Sequence, residues 1–322
     1  MKLEYAVNVG GTETFRFTMS KSPFRRGCNA QTLPKALRYY LQPPKGRVFV
    51  QGDLSQAEAR VVAYLSRCKD LIDLFNDHTR HVHHENALVV FGHAVEKDSP
   101  EYTLAKAVVH ASHYREGPYK FSVQTGIPVK QTKELLARYH AKRPEIHQWH
   151  KKVWDTIKTT GRLETCFGDR RMFYEAISCF SLTGKMTDQH WKDAISWVPQ
   201  TTIPHLTNLG LIAMATEQKQ FDIWFHHQGH DSFLVSLPIG KVVEFIAWSQ
   251  LCYKIALFYN MPFSIPMEYS VGYNFGDMMA YDGHEPSQME WQAWLDEKLA
   301  KKPREQRILD GVYGVHLKDF RV

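Results

Sequence analysis

Apolar positions along the chain change period several times, and each change marks an element. From Arg47 the run Val48, Phe49, Val50 is continuous and rich in β-branched residues, which predicts a buried strand. After Asp53 the period lengthens: Ala59, Val62, Ala63 and Ser66 recur at helical spacing, so the strand passes into a helix within a few residues, with Ser55 or Asp53 as its cap. Farther on, Phe233, Val235 and Leu237 alternate with Leu234 and Ser236, the pattern of a short strand after a tight turn, with Asp231 at its start. Between these stretches the pattern is mostly helical. Leu135, Leu136 and Tyr139, then Ile146, Trp149, Val153, Trp154 and Ile157, predict two core-facing helices and a following hairpin over Val129–Arg171. Lys106, His110 and Tyr114 stand four apart and so share one helical face, with Leu104, Ala107, Val108 and Ala111 on the other sides. Pro204 falls inside a helix expected over Trp191–Gly210, which leaves its boundary open. A last helix, Gln288–Lys301, carries Trp291, Trp294, Leu295 and Leu299 on one side, narrowed by Lys298.

Composition narrows the class. The 322 residues suffice for one large domain or two ordinary ones, and 43% apolar content allows a sizeable core. A formal charge of +6, with 17 histidines besides, favours a polyanionic partner without establishing one. Five scattered cysteines with no C-x-x-C suggest neither a disulfide framework nor a zinc site, and a reducing cytoplasm fits best. His78, His81, His83 and His84 crowd one short segment, but no cysteine or second His/Asp cluster stands at ligand spacing. No signal peptide and no membrane-length apolar run is expected. Gly11–Pro34 reads as irregular and basic, with Arg16, Lys21, Arg25 and Arg26 among Gly, Ser and Thr.

The carboxylate after the first strand carries the candidate chemistry. An Asp at a strand end suits Mg²⁺, which takes one or two protein carboxylates and completes its shell with water and phosphate; it equally suits a helix cap. The surrounding letters, D-L-S-Q-A-E-A-R, resemble the first palm motif of family A DNA polymerases, D-Y-S-Q-I-E-L-R. That resemblance implies that Asp53 is a ligand of both catalytic metals, that Glu58 blocks a ribose 2′-hydroxyl, and that Gln56 lies with the nucleotide. Other stretches follow in the family's order. T-E-T-F-R-F-T and N-A-Q-T-L-P resemble T-x-T-G-R-L-S and N-L-Q-N-I-P, implying that Arg16 reads the minor groove near the primer end while Asn29 and Gln31 hold nearby backbone and phosphate; Phe15 replaces the family glycine. H-V-H-H-E-N-A matches I-H-T-L-T-A and places His83 near the triphosphate. The Lys106, His110, Tyr114 face resembles the fingers helix R-x-x-x-K-x-x-x-F/Y-x-x-x-Y-G, with Lys106 on the triphosphate, His110 stacked on the incoming base and Tyr114 closing on Glu58.

Tyr102 and Arg115 stand where that helix has arginine and glycine. Loss of the arginine predicts weaker nucleotide binding by about 1.5–3 kcal/mol unless Arg115 or a histidine substitutes. G-R-L-E-T-C-F-G-D-R-R resembles G-Y-V-E-T-L-F-G-R-R-R and sets Arg170 and Arg171 along the template; A-I-S-W-V-P-Q matches A-I-N-T-P-I-Q, with Gln200 at the minor groove and Lys192 in place of an arginine. H-D-S resembles the third palm motif H-D-E: Asp231 is the second metal carboxylate, His230 neighbours the primer terminus, and Ser232 replaces glutamate. P-M-E-Y-S-V-G-Y-N-F-G-D resembles the closing V-G-x-N-W-x-D strand.

The implied fold is α+β, a right-hand polymerase palm of antiparallel sheet and helices plus helical fingers, with the thumb absent. The expected division is palm over 1–68, fingers over 69–160, palm again over 161–277 and an extension over 278–322. The implied cofactors are two Mg²⁺ ions, or Mn²⁺, and the implied partners are primer-template DNA, dNTPs and a second polypeptide carrying the thumb and an exonuclease, with no membrane. Two other readings stay open: a single-subunit RNA polymerase, opposed by Glu58, and a non-catalytic DNA-binding or assembly subunit, suggested by Tyr102.

Overall fold

The computed structural model describes residues 3–77, 79–216, 218–254 and 264–281. The chain begins with a hairpin, β1 (Ala6–Asn8) and β2 (Thr18–Ser20), then the short α1 (Lys35–Arg38), strand β3 (Arg47–Leu54) and helix α2 (Ala57–Ser66). Six further helices follow: α3 (Lys69–Asn76), α4 (Val82–Phe91), α5 (Pro100–His113), α6 (Pro118–Thr125), α7 (Val129–Lys142) and α8 (Glu145–Thr160). The hairpin β4 (Arg162–Glu164) and β5 (Arg170–Met172) leads to α9 (Tyr174–Thr183), the long α10 (Asp188–Thr216) and α11 (Gln218–Phe221). Then come β6 (Trp224–Gln228), β7 (Ser232–Pro238), α12 (Val242–Tyr253), β8 (Met267–Gly272) and β9 (Met279–Tyr281).

Five antiparallel strands form the main sheet in the order β6-β7-β3-β8-β9, so the first apolar run of the sequence becomes its centre. Val48 and Val50 are fully buried there. In β7, Phe233 through Leu237 are all buried, Ser236 included. Tyr253 of α12 stacks on Phe233 at 5.6 Å and its hydroxyl donates to the Thr207 carbonyl of α10. At Gly210 a Cβ would lie 2.3 Å from that tyrosine ring, so the absence of a side chain is what lets α10 approach. Gly52 serves the same end on β3: Phe233 and Met267 fill the space a Cβ would need.

A helical subassembly stands beside the sheet. Arg143 of α7, almost wholly buried, donates to Asp70 of α3 and Asn86 of α4 and lies over the Tyr139 ring. The Tyr139 hydroxyl meets His113 of α5, whose carbonyl pairs with His150 of α8. One core cluster runs from Val50 and Leu54 of the sheet through Val61 of α2 to Leu71, Val108 and Tyr139. α10 joins both parts: Ala194, Ile195, Trp197 and Val198 pack with α2, α8 and the β4–β5 hairpin, whereas Ile203, Leu206 and Met214 pack with the sheet.

Several expectations need correction. α10 runs unbroken through Pro199 and Pro204, so neither proline sets a boundary. Neither Ser55 nor Asp53 caps α2: Asp53 is engaged in strand pairing, and Gln56 holds the cap position in a left-handed conformation with no side-chain cap bond. Tyr114 lies just beyond the end of α5 and is buried, while Lys106 and His110 remain exposed. Gly11–Pro34 contains a strand and a short 3₁₀ turn, Ala30–Thr32. Met279–Tyr281 pairs with β8 and so belongs to the sheet, and the expected helix Gln288–Lys301 lies outside the described residues, as does His78.

Candidate active site

Two acidic residues far apart in sequence meet at the centre of the sheet. Asp53 lies one residue before the end of β3, and Asp231 closes the turn between β6 and β7. The backbone N–H of Leu54 donates to the Asp231 carbonyl at 2.8 Å, which ties the two segments together beside their carboxylates. The Asp53 carboxyl is pushed up to about 7, first by burial, then by Asp231, then by Glu268. This crowding of negative charge fits a hard divalent cation, which would reverse the shift. Among the described residues no group of three or more His, Cys, Asp and Glu side chains is set to hold a metal ion; the carboxylates that meet here are those of Asp53 and Asp231. A pair suits Mg²⁺, which keeps several waters.

Beside the pair, Glu58 is held from two sides. Arg16 Nη2 donates to its Oε1 at 3.1 Å and the Tyr114 hydroxyl donates to its Oε2 at 2.6 Å. Burial and the Glu58 charge hold the Tyr114 phenol well above its usual range, so it stays a donor. His230 lies close by; burial and the Arg16 charge lower it, against the pull of Asp231 and Glu58. Arg16 Nε and His230 Nδ1 are buried without a hydrogen-bond partner among the described residues. Phe15, at the place of the expected glycine, adopts φ 56°, so the turn before Arg16 keeps a left-handed residue despite the side chain.

The fingers side is built on α4 and α5. Lys106 Nζ sits 4.5 Å from the centre of the Tyr102 ring, and Tyr102, only 3% exposed, is flanked by His83 and His84. Burial, Lys106 and the neighbouring His81 and His84 lower His83, while Glu268 raises it, so His83 lies within the field of both the lysine and Glu268. His110 meets the Tyr114 ring edge-on at 4.9 Å.

The family model for DNA polymerase family A matches residues 5–277. This chain belongs to that family. It is 24% identical over 272 residues to a thermostable DNA polymerase I of Thermus thermophilus, covering 84% of this chain and 32% of the relative. It is 27% identical over 219 residues to the DNA polymerase of Mycobacterium phage D29, covering 67% of this chain and 33% of that protein. The chain therefore spans about a third of the length of these curated relatives. Among solved structures it resembles the POL domain of Pol1 from M. smegmatis in complex with DNA primer-template and dNTP, with a TM-score of 0.73 and 19% identity over 84% of this chain and 48% of the other. That likeness concerns the fold, and the mixed helical and antiparallel-sheet architecture agrees with it.

The residues expected on DNA are more dispersed, and several carry structural bonds. Asn29 Oδ1 caps the 3₁₀ turn by accepting from Gln31 N–H, and Gln31 Nε2 donates to the carbonyls of Phe17 and Gln228, tying β2 to β6. Arg170 pairs with Glu164 on the exposed β4–β5 hairpin, whereas Arg171 pairs with Glu13 at 2.5 Å, close to the Arg16 turn. Trp197 Nε1 donates to the Glu13 carbonyl, which fixes that turn against α10. Gln200 lies half-buried on α10, and Lys192, on the same helix, is lowered by burial and by Lys120. Gln56, half-buried, stands two residues before Glu58 at the head of α2.

Glu268 is not singled out by the sequence, and Ser55 reads there only as a helix cap, whereas its hydroxyl donates to Glu268. Glu268 was inside a quoted motif but carried no signal by itself, because only the sheet register sets it opposite Asp53.

Proposed function

We propose that this chain is the palm and fingers of a DNA-directed DNA polymerase, adding dNTPs to a primer 3′ end. The observation that carries the reading is the meeting of Asp53 and Asp231 at the end of the central strand, where Asp231 and Glu268 add to burial in raising the Asp53 carboxyl. Asp53 and Asp231 are the residues that would hold Mg²⁺, which when bound supplies activation of the primer hydroxyl and charge stabilisation at the phosphates. Lys106 contributes a compact ammonium to the triphosphate, with His83 behind it. His110 offers a flat ring to the incoming base. Glu58, clamped between Arg16 and Tyr114, forms a fixed wall where a ribose 2′-hydroxyl would sit, so deoxyribose is selected by exclusion. Arg16, Asn29, Gln31, Arg170, Arg171, Lys192, Gln200 and His230 serve primer and template.

In this proposal duplex grip comes from a thumb carried on a second polypeptide. Phosphate contacts dominate DNA affinity, so the palm and fingers alone bind weakly and with strong salt dependence. Primer extension by this chain at moderate salt tests both parts. Short, distributive, metal-dependent extension that vanishes in Asp53→Ala is the expected result. Extension undiminished in that variant would overturn the catalytic reading and leave the non-catalytic DNA-binding subunit; long processive products from the chain alone would remove the need for the second polypeptide.

A further inference from the structure

The acid pair has a neighbour that the motifs do not name. In an antiparallel sheet, residues directly opposite one another project to the same face. Asp53 is opposite Ser232 on β7 and opposite Glu268 on β8, so these three form one row across the sheet with Asp53 in the middle. Ser232 stands where the third palm motif has a glutamate. The negative charge missing from one end of the row is therefore present at the other, on a strand remote in sequence.

Glu268 is also held in position. The Ser55 hydroxyl donates to its Oε1 at 2.6 Å. Ser55 in turn is almost buried: its N–H donates to the Pro266 carbonyl at 2.8 Å and its own carbonyl accepts from Arg60 Nε at 3.0 Å. Arg60 is fixed by a bond to the Phe75 carbonyl and by the face of the Phe75 ring. A chain of contacts from the core of α2 and α3 thus aims a rigid hydroxyl at an exposed carboxylate beside Asp53. Its other oxygen, Oε2, accepts no hydrogen bond among the described residues.

We propose that Glu268 is the third acid of the metal site, supplying from β8 the charge that Ser232 does not supply from β7. It acts through the water shell of the cations. Ser55 is its positioning residue. The inference rests on the polymerase reading of Asp53 and Asp231, and the test separates the two.

Mn²⁺ binding, followed by the loss of the free-ion electron paramagnetic resonance signal, is measured on the full chain with a dideoxy-terminated primer-template and the matching dNTP. Melting curves accompany each variant. Glu268→Gln keeps an oxygen to accept from Ser55, so the fold and Tm are expected to hold, while Mn²⁺ affinity falls roughly ten- to a hundredfold, the range for outer-shell partners of metal sites. Adding Ser232→Glu to Glu268→Gln restores most of that loss, an outcome that a purely structural pin would not give. Unchanged Mn²⁺ affinity in Glu268→Gln overturns the proposal, as does a loss that Ser232→Glu leaves unrescued. Unchanged affinity in Asp53→Asn would instead overturn the underlying polymerase reading.

Discussion

Single side chains set the chemistry of the cleft. Tyr102, at the place of a family arginine, gives no guanidinium to a phosphate; it is buried and offers its ring to Lys106 at 4.5 Å. A cation–π contact of this kind contributes about 0.5–2 kcal/mol. Tyr102→Leu is therefore expected to raise the dNTP KM roughly two- to thirtyfold, with Tyr102→Phe close to wild type; steady-state single-nucleotide incorporation measures both. Glu58→Ala removes the wall held by Arg16 and Tyr114 and is expected to raise ribonucleotide incorporation relative to dNTP, read from parallel extension assays. Phe15 pays for a left-handed backbone at φ 56° with little around it. Phe15→Gly relieves about 1–2 kcal/mol of backbone strain and loses part of that to unfolded-chain entropy, so a stability gain of up to about 1 kcal/mol in urea melts is expected.

At the level of elements, the junction of α5, α7 and α8 is a histidine-lined seam. His140 stacks on His147 at 3.7 Å and is pushed down to about 3, first by burial, then by His147 and His150. His150 is pushed down to about 4, chiefly by burial, although its bond to the His113 carbonyl pulls upward. Both folded values lie below an unfolded histidine near 6.5, so between them the unfolded chain binds protons that the folded chain does not. Stability is full above about pH 6.5 and is lost as pH falls toward 4 and 3. Tm measured from pH 7.5 to pH 5 should fall, and His140→Phe, which keeps a flat ring without a titrating nitrogen, should flatten that slope. On the palm side, Gly210→Ala would drive a methyl into the Tyr253 ring and is expected to destabilise by about 1–3 kcal/mol, seen as a lower urea midpoint.

For the whole molecule, the connection between the sheet and the helical subassembly rests on α10. α10 packs through one half against α2, α8 and the β4–β5 hairpin and through the other against the sheet, so one continuous helix ties the two packing regions together. No helix among the described residues is long and apolar enough to cross a membrane. The strand-to-helix period change after Asp53, the two core-facing helices and the β4–β5 hairpin were legible in the sequence because local periodicity reports which side of an element is buried. The cap of α2 was not, since the Ser55 hydroxyl donates to the remote Glu268 and Asp53 lies within strand β3. The unbroken course of α10 through two prolines was not legible either, because packing on both its halves outweighs a local helix penalty.

By itself the sequence determined the family and most of the elements and pointed to Asp53 and Asp231, since these are written in short runs where spacing and chemistry are local. Only the tertiary structure decided which side chains share a face. Glu268 stands in line with Asp53 and Ser232 because three strands remote along the chain pair in one register, and register is a property of the assembled sheet.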